Sequence, residues 1–273
     1  AGAILFAAGV LLGGAKGHAY TQVEVTSGAV IRGTVKWVGP IPAAPDFDVN
    51  VDENFCAPTG KIRNDRVEID PDTRAVKNAV VYLMGIQRGV GMGELTSVTE
   101  TRTHPNGPTL AVRQCQIVPR IQLIQRGRRI VFRNEDAIMH QLRLSGMDTL
   151  NSDISLPVRN GTNDVYFPNS GFFSITSTKQ PWISASVVVA AHPYYTVTND
   201  KGEFVLSDVP SGTHSLTVWH CGMEAKPIVK NALVTGYKFG PDIAGSARIR
   251  VEPDQVLNLR LGFAARTLVV GGQ

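Results

Sequence analysis

From Gly28 onward, short Val- and Ile-rich runs are separated by glycine and proline so regularly that the chain leaves room for few helices. The run Ala29-Val-Ile-Arg-Gly-Thr-Val-Lys-Trp-Val-Gly39 alternates apolar and polar side chains, the period of a strand with one buried face. Pro40 to Pro45 end it, because proline cannot donate to a ladder. Asn78-Ala-Val-Val-Tyr-Leu-Met84 is apolar almost throughout and reads as a more deeply buried strand. Thr109 to Val131 alternates again, and Arg126-Gly-Arg-Arg129 is a charged turn before Ile130-Val-Phe132. Ala247-Arg-Ile-Arg-Val251 and Val256-Leu-Asn-Leu-Arg-Leu261 add strands near the C-terminus. With 27 Gly and 16 Pro in 273 residues, this is the punctuation of sandwiches or barrels. A chain that is 43% hydrophobic is enough for one large or two small β domains, each with its own core, so the expected fold class is all-β.

Gly85 to Pro108 carries five glycines and little apolar periodicity, as a long exposed connection does. A formal net charge of +4 permits an acidic partner or an anionic membrane without requiring either, and nucleic acid is not expected. Arg113, Arg120, Arg126, Arg128, Arg129 and Arg133 could together face an acidic partner such as a cytochrome, or form an ordinary solvated surface. No nucleophile stands with a base and no carboxylates pair in a recognisable frame, so the chain is not expected to be an enzyme.

Ala1 to Ala15 is uncharged and ends at Lys16, which fits either a secretory signal or a membrane anchor, and both export the chain. A signal peptidase could cut after Ala19; the run is nevertheless present, and the expectation for residues 1–20 is an anchor or uncleaved signal. Fifteen helical residues reach only about 22 Å, against about 30 Å of hydrocarbon. Gly9, Gly13 and Gly17 fall on one helix face, where they would let another transmembrane helix approach closely.

Cys56, Cys115 and Cys221 are widely spaced, without the Cys-x-x-Cys spacing of zinc or redox motifs, and allow at most one disulfide within the chain. Three buried thiols would be the alternative.

Several stretches carry a family resemblance. Thr196-Val-Thr-Asn-Asp-Lys-Gly-Glu-Phe-Val-Leu-Ser-Asp-Val-Pro-Ser-Gly-Thr-His-Ser-Leu-Thr-Val-Trp219 resembles the signature of carboxypeptidase regulatory-like (transthyretin-like) sandwiches, with His214 in place of the usual Tyr. Gly33-Thr-Val35 and Asn78-Ala-Val-Val81 resemble the opening strands of the same family. Gly127 to His140, a strand followed by an Asn-x-Asp turn and a histidine, resembles the first half of a cupredoxin copper site. The resemblance implies a regulatory-like sandwich in two parts, residues 28–90 and 192–273, interrupted by a cupredoxin-like domain at 109–191, with two sandwiches in tandem as the alternative. It also favours a disulfide between Cys56 and Cys115, since paired cysteines are expected in that part of the family.

The second half of the copper site is where the sequence departs from the family. In relatives that join the two domains, the loop reads roughly Cys-x-x-His-Pro-Trp-Met, followed by a Val-rich strand and His-Pro-Tyr-Tyr. Pro181, Trp182, His192, Pro193, Tyr194 and Tyr195 match and fix the register. In that register Ser177 stands for Cys, Gln180 for His and Ile183 for Met, which leaves His140 alone among the implied ligands. One imidazole cannot make an electron-transfer copper centre, so no metal and no cofactor is expected there. Trp219-His-Cys-Gly-Met223 offers another soft set in His220, Cys221 and Met223. Neighbouring side chains on a strand point to opposite faces, so His220 and Cys221 would need a turn to converge.

The resemblance therefore implies a non-catalytic structural or docking subunit on the periplasmic or other extracytoplasmic face of a bacterial membrane. Its partners would be integral membrane proteins, with a cytochrome subunit among the candidates, in a respiratory or photosynthetic electron-transfer complex. Two rivals stand beside this reading. One is a copper electron carrier with a non-standard site; the other is a carbohydrate- or peptide-binding module with an exposed aromatic cleft at Tyr194, Tyr195 and Trp219.

Overall fold

The structure, a computed structural model, describes residues 20–93, 103–104, 107–146, 151–264 and 267–272. The described residues are nearly all strand, and Glu53–Cys56 is the one helix among them. No helix among them is long and apolar enough to cross a membrane. Ala1 to Ala15 and the glycines Gly9, Gly13 and Gly17 lie outside the described residues.

Two pairs of sheets account for the core. One five-stranded sheet runs Ile121–Gln125, Ser184–Ala190, Gly171–Ser177, His140–Gly146, Asn151–Leu156. The sheet facing it runs Thr162–Phe167, Arg128–Asn134, Gly107–Arg113, Thr103–His104, and Gln116–Val118 pairs with Gly107–Arg113. Alternation turns Leu142, Leu144, Ile175 and Val187 of the first sheet toward Leu110, Ile130, Phe132 and Phe167 of the second, and these fill one core.

The other pair runs Tyr195–Val197, Val80–Met84, Gly212–His220, Ile243–Val251 and Glu203–Val209, Ala29–Trp37, Val256–Ala264, Thr267–Gly272. Ile31, Val35, Val81, Leu83, Phe204, Leu206, Leu216 and Phe263 fill its core. Ala29–Trp37 and Val80–Met84 thus pair with strands from Tyr195 onward, while the strands of the first two sheets, which lie between 103 and 190, pair among themselves. Gly33 sits where the parallel strand Val256–Ala264 passes closely. A Cβ there would lie 2.2 Å from the Leu259 carbonyl oxygen, so only glycine fits.

The core boundaries differ from the sequence reading in one respect. Phe47, Val49, Ala57 and Ile62, which lie in the 28–90 part, bury themselves in the core of the 107–190 strands. The hairpin Ala225–Lys230 and Leu233–Phe239 also leans on that core, through Ala225, Tyr237 and Phe239. The reason is local: Cys56 is bonded to Cys115, and Phe47 meets the Tyr237 ring edge-on at 4.7 Å.

A third cluster joins the two sandwiches. Ile121, Leu123, Val188 and Ala190 from one meet Val80, Val197, Trp219 and Cys221 from the other. This explains why Ser184–Ala190 and Val80–Met84 are apolar without alternation. Val187 and Val189 face one core while Val188 faces the joint, and Val81 and Leu83 face the other core while Val80 faces the joint. Polar groups flank the joint: Arg120 reaches Asp65 at 2.8 Å, and Arg66 donates to Ser184 Oγ at 2.6 Å. The Arg66 guanidinium also lies 4.1 Å above the centre of the Phe239 ring.

Candidate functional site

The strand Arg128–Asn134 ends in a turn that delivers His140. Buried Asn134 shapes it: Oδ1 accepts the Asp136 amide at 2.8 Å, and Nδ2 donates to the carbonyls of Ile138 at 2.7 Å and Leu156 at 3.0 Å. Asp136 is held by two backbone amides, Gln114 on one carboxylate oxygen at 2.7 Å and Cys115 on the other at 2.8 Å. His140 Nε2 lies 3.0 Å from the same oxygen that Cys115 reaches. Burial pushes the Asp136 carboxyl up, but the His140 contact and the two amides outweigh it and hold the carboxyl below its ordinary range.

The opposing wall is the loop after the strand Gly171–Ser177. Ser177 N donates to the Ile183 carbonyl at 3.2 Å and Ile183 N to the Gln180 carbonyl at 3.0 Å, which folds the loop back on itself. Ser177 Oγ accepts from the amides of Gln180 at 3.0 Å and Lys179 at 3.2 Å, and its hydroxyl faces the Gln141 carbonyl at 3.0 Å and Gln180 Oε1 at 3.1 Å. Gln180 Nε2 donates to Asp52 at 2.7 Å and to the Met139 carbonyl at 3.2 Å. The loop and the turn thus bring His140, Ser177 and Gln180 into one hydrogen-bonded group, and Ile183 packs in the core below.

This group does not present the ligand set of a copper centre. Both partners of Gln180 Nε2 only accept, so the amide oxygen must face His140 Nδ1, 3.2 Å away, and Nδ1 must carry a proton. Nε2 faces a carboxylate oxygen of Asp136 at 3.0 Å. A hydroxyl, an amide oxygen and an Ile side chain, beside a histidine whose Nδ1 is given to that amide oxygen, do not fit a copper electron-transfer centre. They do fit a satisfied buried polar network.

Asp136 and Cys115 belong to this site, although the sequence reading did not place them in it. The ligand atoms of Cys115, Asp136 and His140 lie within 4.8 Å of one another, and Cys115 is bonded to Cys56. The one available signal was the Asn134-x-Asp136 turn, and spacing alone could not show that residue 115 folds over it.

The other soft set is divided. The strand ends at His220, and His220 Nδ1 and Cys221 Sγ come within 3.8 Å, so these two converge more than strand alternation suggests. Nδ1 is nevertheless engaged with the Cys221 carbonyl at 2.7 Å, and Met223 packs in the core of the other sandwich. Cys221 lies in the joint between sandwiches, with Arg120 3.5 Å from its sulfur. Burial raises the thiol, but the charges of Arg120 and His220 outweigh it and pull it down to about 6.

Two surface expectations change. Tyr194 and Trp219 are buried, Tyr195 stacks on Tyr82 at 4.8 Å, and Trp219 meets Phe172 at 4.7 Å. They pack in the joint and the core, which is not the exposed aromatic cleft expected of a carbohydrate- or peptide-binding module at these three residues. The arginines do not form one patch either. Arg120 is buried in the joint, Arg113 pairs with Glu135 at 2.6 Å, and Arg126, Arg128 and Arg129 are exposed at the turn.

No family model matches the sequence. No curated protein matches it either. Among solved structures, a purple cupredoxin from Nitrosopumilus maritimus is similar at 16% identity over 30% of this chain and 98% of its own, with a TM-score of 0.27. A reduced Cu(I) amicyanin variant is similar at 11% identity over 40% and 98%, with a TM-score of 0.29. An oxidised amicyanin variant is similar at 14% identity over 35% and 97%, with a TM-score of 0.29. Likeness at these scores carries no argument about function.

Proposed function

We propose that this chain is a non-catalytic, extracytoplasmic docking subunit of a membrane electron-transfer assembly, built around a cupredoxin-like sandwich without copper chemistry. The observation that carries the reading is the environment of Gln180. Where an electron carrier needs lone pairs converging on a metal, this loop supplies an amide oxygen that accepts from His140 Nδ1. The sandwich that would hold copper is then kept for its surface. The exposed turn Arg126 to Arg129 would suit an acidic partner face, and the apolar N-terminal run would tether the chain. Assignment to a respiratory or photosynthetic host rests on the partners that cupredoxins usually meet, an analogy from fold.

Mild detergent extraction of native membranes, followed by identification of co-purifying proteins, tests this reading. It predicts recovery in fixed ratio with integral membrane proteins, a cytochrome subunit among them. Recovery as a lone soluble protein with a reversible redox-dependent absorbance would instead favour an electron carrier.

A further inference from the structure

We infer that reducing the Cys56–Cys115 disulfide converts the corner around His140 into a metal site of two thiolates, one imidazole and one carboxylate, suited to zinc. The group is already assembled. Cys115 Sγ, a carboxylate oxygen of Asp136 and a ring nitrogen of His140 lie within 4.8 Å of one another, all three residues are buried, and Cys56 Sγ is bonded to Cys115 Sγ. Tetrahedral zinc, with bonds of about 2.0 to 2.3 Å, sets its ligand atoms about 3.3 to 3.8 Å apart. The set must therefore tighten by about an ångström at its widest, a rotamer-scale change. These are not the positions of the copper resemblance. Of those four, only His140 takes part.

The surroundings pre-orient the ligands. Backbone amides of Gln114 and Cys115 fix the Asp136 carboxylate in its ionised form. Gln180 Oε1 accepts from His140 Nδ1, which leaves Nε2 as the nitrogen turned toward Asp136 and available to a metal. A metal-bound imidazole is commonly held this way, with its other N–H given to an oriented acceptor. Gln180 is itself fixed by Asp52 and the Met139 carbonyl, so the residue that removes a copper ligand serves here as a support.

The corner is also reachable. A surface cavity of about 710 Å³ is lined by Phe55, Gln114, Glu135 and Asp136, next to both cysteines in sequence. Cys56 closes the short helix Glu53–Cys56 and is only partly buried, so a reductant can reach the bond. In the chemistry, a dithiol reductant delivers two electrons and two protons to the disulfide and leaves as its own disulfide. Zinc then displaces the two thiol protons, and any proton held on His140 Nε2, and binds two thiolates, the neutral imidazole and the carboxylate.

The test is zinc and cobalt titration of the folded chain, as purified and after reduction with a dithiol that is removed anaerobically by desalting. The reduced chain should bind about one zinc ion. Its cobalt form should show tetrahedral d–d bands and thiolate-to-cobalt charge transfer, while the oxidised chain takes up neither ion. His140→Gln and Asp136→Asn should each weaken zinc binding by about tenfold or more, with strand circular dichroism confirming the fold. Should reduction loosen the fold, zinc should restore it, since a structural metal contributes its binding energy to folding. Zinc uptake no greater in the reduced than in the oxidised chain overturns the inference, folded or not. So does a His140→Gln chain that binds as tightly as its parent, because the thiols alone would then hold the ion. The docking reading is tested separately by what the oxidised chain binds and co-purifies with, so either can fail alone.

Discussion

Nδ1 of His140 donates to Oε1 of Gln180 across 3.2 Å, and the Gln180 amide in turn donates to Asp52 at 2.7 Å. Gln180 thus joins the turn before His140 to the segment around Asp52. Replacing it with Leu keeps the bulk but leaves a buried ring N–H without its acceptor and Asp52 without that donor. Each orphaned group costs about 1 to 3 kcal/mol, so Gln180→Leu should destabilise the fold by about 2 to 4 kcal/mol in denaturant titration. A change within 0.5 kcal/mol of zero, roughly the effect of a neutral surface substitution, would mean that the network does not hold the loop.

His192 supplies the pH dependence. It is buried among Tyr20, Tyr194 and Tyr195, with ring centroids 4.8 to 5.9 Å away, and burial holds its pKa down to about 4, against 6.5 for the ordinary side chain. The unfolded chain therefore takes up the proton first. Stability from the neutral imidazole is fully present above about pH 6.5 and is lost as the pH falls toward 4, by about 3 kcal/mol in all. His192→Phe should flatten that part of the stability curve. The difference from the parent should grow as the pH falls from about 6.5 and reach its full size at about pH 4, and parallel curves would contradict the assignment.

The Cys56–Cys115 bond closes a loop of 59 residues between the segment Phe47–Ile62 and the strands it packs on. On loop entropy, such a crosslink is worth about 4 kcal/mol. Cys56→Ser should lower the unfolding free energy by about that much under non-reducing conditions, while reduction should change the variant little. Equal sensitivity of parent and variant to reduction would remove the disulfide from the account.

The register of the loop can be tested by rebuilding it. Nδ1 of His140 already points at position 180, and Ser177 lies beside Gln180 at 3.1 Å. Ser177→Cys, Gln180→His and Ile183→Met together should therefore confer copper binding with thiolate-to-copper absorption on the oxidised chain. A folded triple variant that takes up no copper would show that these positions do not converge as described.

Strands were legible wherever one face is buried, as in Ala29–Trp37, because alternation reports a single interface. Ser184–Ala190 and Val80–Met84 were legible as deeply buried, but the sequence could not say that their second face meets the other sandwich, since burial on two faces erases the period. The burial of Arg120 was hidden for a related reason. An arginine reads as surface unless its partners are known, and Asp65 and Cys221 are far from it in sequence. In the site, Ser177, Gln180 and Ile183 could be read as neighbours of His140 from the resemblance alone. Asp136 and Cys115 could not, because their role depends on a backbone crossing that places the amides of 114 and 115 over a carboxylate.

The central claim is that the oxidised chain keeps a cupredoxin-like sandwich without its copper. The most direct measurement is the copper content and visible absorption of the purified, disulfide-bonded protein after incubation with Cu(II) and removal of loosely held ions. The account predicts copper well below one ion per chain and no thiolate-to-copper band. A tightly bound ion in every chain, with that band, would contradict it.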